Sequence, residues 1–242
     1  MAADHPESGT FSNFERKHLP FQKALICTLG PSSLHERVIS QLEAIGITSF
    51  RINMSHTDIA DLEHVIRFIQ KCTNVPICID TEGAQIRTGV MNHGVTLQAG
   101  SSVRLVSGVT KGDATTIPIT PDYALERLGP STWMSVDFDS AILRIDRVSD
   151  GAAEATVVSG GEIGSRKAVT AFPSPKLATF SEKDLHAIRI GMQNQVHWYA
   201  LSFCDSQASV SMLREMVGPD DTIVAKIESR EGVRNLEGIA RS

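Results

Sequence analysis

Cysteine is scarce and unclustered in this sequence. Cys27, Cys72, Cys78 and Cys204 are the only four, and no pair has C-x-x-C spacing, so no such metal or redox motif is present. Three of them sit inside apolar runs and read as reduced core residues of a cytosolic protein. No apolar run approaches the ~20 residues that span a bilayer. Residues 1–20 are polar, carry both signs of charge and lack the apolar stretch of a secretory signal. They also lack periodicity and read as an N-terminal arm or cap. Positive charge is not in excess: 23 Lys and Arg against 28 Asp and Glu give a net charge of −5. That balance argues against DNA or RNA as the main partner, though not against a local cationic pocket for a small phosphate. Internal repeats and low-complexity segments are absent. With 41% hydrophobic and 21% charged residues in 242, what remains is an ordinary globular chain with room for one large domain or two small ones. These absences imply a cytoplasmic protein with no nucleic-acid and no membrane partner.

What is there begins with strand–helix alternation. Residues 24–29 form a short apolar run stopped by Gly30 and Pro31, the pattern of a buried strand. Ser32 or Ser33 can cap a helix with Leu34, Val38, Ile39, Leu42 and Ile45 on its apolar face, ended by Gly46. A strand over 47–54, a helix over 58–73 and a buried strand over 75–80 follow. Near-continuous apolar strands between amphipathic helices call for a parallel sheet covered by helices. After Gly89 the pattern changes to short alternating segments, at 95–97, 102–106, 141–145 and 155–158, separated by Gly, Asp, Asn and Ser. That is the signature of a small all-β domain. Alternation returns with a helix opened by Ser181-Glu182-Lys183-Asp184, a strand over 196–203, a helix over 206–217, a strand over 222–227 and a last helix over 230–240. The expected organisation is an arm over 1–20, an α/β part over 21–89, an inserted β domain over 90–172 and a second α/β part over 173–242. About five parallel strands result, fewer than the eight of a closed (β/α)8 barrel. They suit either an open sheet or most of an unclosed barrel.

In parallel α/β folds ligands sit at the C-terminal ends of the strands, and each strand here ends in polar residues. On the second strand, Arg51, Asn53 and Ser55 share one face and Phe50, Ile52 and Met54 the other. Burying an amide or hydroxyl without a partner costs ~1–3 kcal/mol, and a lone charge more, so such a row points to a ligand. Arg51 suits bidentate binding of phosphate or carboxylate. Oxygens of Asn, Ser and Asp suit a hard cation. Lys226 and Glu228 share a face of the fifth strand, where a Lys can stabilise a transferring phosphoryl group while the Glu holds a divalent metal. Bland readings compete: Asp80-Thr81 can cap a turn, Lys226 and Glu228 can form a structural ion pair, and Lys167 can be a solvated charge.

Six blocks resemble the pyruvate kinase family in that family's order: Cys27-Thr28-Leu29-Gly30-Pro31, Arg51-Ile52-Asn53-Met54-Ser55-His56, the segment from Asp80 to Gly89, Gly164-Ser165-Arg166-Lys167, Ser181-Glu182-Lys183-Asp184 and Lys226-Ile227-Glu228-Ser229-Arg230-Glu231-Gly232. The resemblance covers about residues 23–242. It implies a fold of class α/β: a partial (β/α)8 TIM-type barrel of about five strands, interrupted by an inserted small β-barrel lid. It also implies phosphoryl transfer from phosphoenolpyruvate to ADP, giving pyruvate and ATP, with Mg2+ (or Mn2+) and usually K+. Carried over, Arg51 contacts the substrate phosphate. Asn53, Ser55, Asp80 and Thr81 ligate the monovalent cation. His56, Arg87 and Lys167 lie on the nucleotide phosphate side. Lys226 steadies the moving phosphoryl group and Glu228 is one ligand of the divalent metal.

The sequence also departs from the family pattern. It closes at Ser242, before the family's Gly-Asp-Leu-Gly block, whose Asp is the second metal ligand, which predicts a fragment or truncated product with an incomplete barrel. Glu82, Ala84 and Gln85 stand where the family has Lys, Pro and Glu, which leaves K+ dependence open. Asp137-Phe138-Asp139 replaces Asp-Asp-Gly, and Phe172-Pro173-Ser174 replaces Leu-Pro-Gly. Two alternatives follow: a non-catalytic binding or regulatory module, and a metal-dependent lyase acting on pyruvate or enolpyruvate. Unpaired sheet edges would favour aggregation or a homo-oligomer.

Overall fold

A computed structural model describes residues 24–242 except 84 and 109. The expected arm over 1–20 lies outside the described residues. The first α/β stretch runs β1 (Ile26–Thr28), α1 (Glu36–Ala44), β2 (Ser49–Asn53), α2 (Ile59–Cys72) and β3 (Ile77–Asp80). Nine strands follow: β4 (Ile86–Thr88), β5 (Val95–Thr96), β6 (Ser102–Ser107), β7 (Thr116–Thr120), β8 (Trp133–Val136), β9 (Ala141–Ser149), β10 (Ala152–Ser159), β11 (Glu162–Ile163) and β12 (Ala168–Phe172). The chain then returns to α3 (Glu182–Gln193), β13 (Trp198–Leu201), α4 (Gln207–Val217), β14 (Thr222–Ala225), α5 (Arg230–Arg234) and α6 (Leu236–Ala240).

The α/β strands form one five-stranded parallel sheet in the order β1-β2-β3-β13-β14. Its register carries the alternation of β2 across the whole sheet. Thr28 lies beside Arg51, Arg51 beside Cys78, Cys78 beside Trp198, and Trp198 beside Thr222. One layer further on, Asn53 pairs with Asp80, Asp80 with Ala200 and Ala200 with Val224. Thr28, Arg51, Asn53, Cys78, Asp80 and Ala200 thus share one face, which Trp198 and Val224 continue across β13 and β14. The opposite face presents Phe50, Ile52, Ile79, Tyr199 and Leu201, all buried in a core with Ile39 of α1, Leu62, Ile66 and Ile69 of α2, Ile188 of α3 and Leu213 of α4. Each such side chain contributes about 1.5–3 kcal/mol by leaving water. That apolar face fixes which way the polar one looks, because a one-residue slip would exchange them. Helix α3 approaches closest at Gly191, where a Cβ would sit 2.5 Å from Ile79 Cδ1 and 2.9 Å from Tyr199 Oη.

The insertion is a closed seven-stranded barrel, β10-β6-β7-β4-β12-β8-β9, with its own apolar core. Pairings inside it are antiparallel except β6 with β7. Strand β4, within the stretch assigned from sequence to the first α/β part, hydrogen-bonds to β7 and β12 inside this barrel. The single last helix expected over 230–240 is two short helices that meet at Asn235. The Asn235 amide donates to Asp205 O at 2.8 Å, tying this junction to the start of α4, and to Glu231 Oε1 at 3.3 Å.

Candidate functional site

The polar face of the sheet gathers a charged cluster at the ends of β2, β3, β13 and β14. Asp80 is at its centre, its side chain 1% exposed. A buried carboxylate needs partners, and both neighbouring strands supply them. Arg51 Nε donates to Asp80 Oδ2 at 2.6 Å, its Nη2 pairs with the same oxygen, and its Nη1 donates to Thr28 Oγ1 at 2.7 Å. A guanidinium has five N–H groups, so two remain for a ligand. Lys226 Nζ donates to both Asp80 oxygens at 3.2 Å and to Ser202 Oγ at 2.9 Å, and lies 3.4 Å from Glu228 Oε1. Glu228 Oε2 accepts the Phe203 N–H at 3.1 Å. The side chains of Arg51 and Lys226 are each 27% exposed and that of Glu228 37%, so the cluster is closed below and open above. The two cations can therefore meet a small anion from the open side, with Glu228 at the rim.

Cys78, two positions before Asp80 on β3, has its thiol pushed up to about 12, chiefly by burial and next by the Asp80 charge, against the lowering pull of Arg51 and Lys226. It stays a protonated packing residue at neutral pH.

The loop after β3 is held from below. Asp184, at the third position of α3, is fully buried and completes a capping box with Ser181. It also accepts the N–H groups of Glu82 at 2.6 Å and Gly83 at 3.1 Å. Gly83 has φ +73°, and a Cβ there would lie 2.8 Å from the Phe203 ring, so glycine is required on both counts. Lys183 reaches the Met54 carbonyl and lies 3.4 Å from Glu82 Oε2.

Of the residues singled out from sequence, Arg51, Asp80, Lys226 and Glu228 come together directly. Asn53 lies beside Asp80 in register, and its Oδ1 accepts the Ser55 N–H at 3.1 Å. Thr81 Oγ1 donates to Ala200 O at 3.2 Å, and the Thr81 carbonyl accepts the Ser202 hydroxyl at 2.6 Å. His56 is exposed after β2, its N–H on Asn53 O. Arg87 and Lys167 make their contacts within the inserted barrel instead: Arg87 Nη1 to Arg166 O at 3.1 Å, and Lys167 Nζ to Asp137 Oδ2 at 2.9 Å. Sequence reasoning gave no role to Thr28, Ser202 or Asp184. Their place at strand ends or in a capping turn was visible, but single short polar residues there leave no periodic signal.

Among the described residues no three His, Cys, Asp or Glu gather into a metal cluster, and no helix is long and apolar enough to cross a membrane. A family model described as pyruvate kinase, barrel domain, matches residues 21–242. The chain is 30% identical to a pyruvate kinase of Methylorubrum extorquens over 89% of its own length and 46% of that protein. It is 29% identical to one of Agrobacterium vitis, covering 90% and 47%. With plastidial pyruvate kinase 3 of Arabidopsis thaliana the identity is 27%, covering 96% and 42%. The chain thus spans less than half the length of these relatives.

Proposed function

Because this chain belongs to the pyruvate kinase family, we propose that it serves phosphoryl transfer between phosphoenolpyruvate and ADP, giving pyruvate and ATP, with the five parallel strands as part of a (β/α)8 barrel and the closed β barrel as its lid. The observation that carries the reading is the shared anchoring of Arg51 and Lys226 on buried Asp80. It holds two cations side by side, with N–H groups left for the substrate's phosphate and carboxylate oxygens. Arg51 would hold the phosphate, and Lys226 would meet the charge that develops on the moving phosphoryl group. His56, Arg87 and Lys167 would take the nucleotide phosphates, with Lys167 released from Asp137 to do so. Neither the non-catalytic module nor the lyase has an observation in its favour.

Glu228 fits a share in a magnesium site. Its carboxylate is exposed, and Mg2+ is commonly held by one or two carboxylates together with waters and substrate phosphates. When bound, the ion supplies charge neutralisation on the phosphoryl oxygens. Asn53, Ser55, Asp80 and Thr81 would supply oxygens to a monovalent cation; the Asn53 amide oxygen, the Asp80 carboxylate and the Thr81 carbonyl each also accept a hydrogen bond within the chain, which leaves lone pairs for the ion. A cytoplasmic setting goes with this reading, although one of the relatives above is plastidial by name.

The test is a coupled assay for pyruvate from phosphoenolpyruvate and ADP with magnesium, on the 242-residue chain and on Lys226→Met. Pyruvate formation lost on Lys226→Met supports the reading. A folded chain that neither forms pyruvate nor binds phosphoenolpyruvate rejects it.

A further inference from the structure

Lys226 has a second anchor to which neither the strand pattern nor the family resemblance gives a role. Ser202 lies one residue beyond β13 and is 4% exposed. Its hydroxyl carries one proton and has three neighbours: the Thr81 carbonyl at 2.6 Å, Lys226 Nζ at 2.9 Å and Asp80 Oδ1 at 3.2 Å. An ammonium can only donate, so Lys226 is the donor at 2.9 Å. The hydroxyl proton goes to the nearest acceptor, the buried Thr81 carbonyl, which leaves the oxygen's lone pairs turned to Lys226. The backbone repeats the tie in reverse. The Ser202 N–H donates to Thr81 Oγ1 at 3.0 Å, and that hydroxyl donates on to Ala200 O at 3.2 Å. Ser202 therefore cannot rotate without breaking a buried bond.

The lysine ammonium has three hydrogens. One is taken by Ser202 and one is shared between the Asp80 oxygens at 3.2 Å, while the exposed Glu228 Oε1 lies 3.4 Å away as an ion-pair partner with no hydrogen bond to the ammonium. Without Ser202, a flexible stem held only by Asp80 and the exposed Glu228 leaves the ammonium free to swing between the two carboxylates. A second anchor in a different direction fixes the tetrahedron and so the direction of the third N–H. We propose that Ser202 is a positioning residue: its hydroxyl, oriented by the Thr81 carbonyl, aims the remaining Lys226 N–H at the phosphoryl group. The identity of that target rests on the phosphotransfer reading; the anchoring of Lys226 does not.

Two measurements on the full chain test this separately. In the first, the folded chain is pulsed with an amine-acylating reagent and each lysine is read by peptide mass spectrometry. Ser202→Ala is expected to raise the labelling rate of Lys226 several-fold while Lys183, similarly exposed at 28% and held at another site, keeps its rate. An unchanged Lys226, or a parallel rise at Lys183, overturns the proposal, the latter by showing general loosening. In the second, phosphoenolpyruvate affinity is measured through a double-mutant cycle. Ser202→Ala should weaken binding about tenfold, the worth of a hydrogen bond to a charged group, and no more than about twofold when Lys226 is already Met. Effects that multiply in the double variant contradict action through Lys226. If the unaltered chain takes up no phosphoenolpyruvate, the phosphotransfer reading fails, and the labelling result still decides the role of Ser202.

Discussion

Asp80 carries more of this site than its side chain's size implies. It is the one buried charge on which Arg51 and Lys226 both rest, and removing it leaves two cations side by side with only Glu228 at the rim. Asp80→Asn is expected to cost about 1–3 kcal/mol in urea unfolding. That is less than the several kcal/mol of a fully buried pair, because the two cations are partly in water; an unchanged midpoint would show that water already screens them. Two steps along the same strand, Cys78 gives the protein an alkaline limit. Its thiol is raised from 9.0 to about 12 by burial, and the Tyr199 hydroxyl is raised as well. A group whose folded pKa lies above its unfolded value contributes stability that is complete below the unfolded pKa and is lost as pH rises through the folded one. Stability should therefore fall from about pH 9 toward 12, and Cys78→Ala should flatten that fall when midpoints are measured across this range. At this level the sequence was readable where alternation spoke: Arg51 and Asn53 stand opposite Phe50 and Ile52 in the pattern and on the sheet alike. Ser202 was not, since a serine at a strand end looks the same whether or not it holds a lysine.

Helix α3 joins packing to chemistry. Its apolar residues Ala187 and Ile188 enter the core, while its capping Asp184 fastens the Glu82–Gly83 backbone just beyond Asp80. Asp184→Ala removes the cap and leaves these N–H groups without their acceptor. A loss of about 2–4 kcal/mol in the urea midpoint is expected, the sum of a cap and unsatisfied buried donors. Weaker phosphoenolpyruvate binding should accompany it, because the loop carries Thr81. A loss under about 0.5 kcal/mol, the level of an ordinary surface change, would show that the loop holds itself. The helices and the apolar strands of the sheet were legible because their periods are distinct. In the inserted barrel, β6, β9 and β10 were legible and β7 was not, for β7 includes Pro118, a residue that argues against a central strand in a local reading. Strand β4 has three residues, too few for a period, and only its pairing with β7 and β12 places it in that barrel.

The two halves of the molecule end their sheets differently. The inserted barrel closes on itself, whereas among the described residues the parallel sheet has β1 and β14 at its unpaired edges. Apolar surface lies at both. Leu25 and Ile26 are 50% and 43% exposed beside β1, and Ile223, Ala225, Ile227, Leu236 and Ile239 line a groove at β14. Open edges with apolar flanks invite pairing with another chain, so the 242-residue chain should self-associate with rising concentration in sedimentation velocity; a single monomeric boundary at all concentrations would count against exposed edges. The site has one centre, the buried Asp80 on which Arg51 and Lys226 converge from β2 and from the end of β14. Calorimetric titration of phosphoenolpyruvate, with magnesium, into the chain and into Arg51→Lys tests that convergence most directly. Saturable binding that Arg51→Lys weakens about tenfold or more, as expected for loss of a bidentate contact, is the predicted result. Absence of binding to the folded chain, or equal binding by Arg51→Lys, would contradict the account.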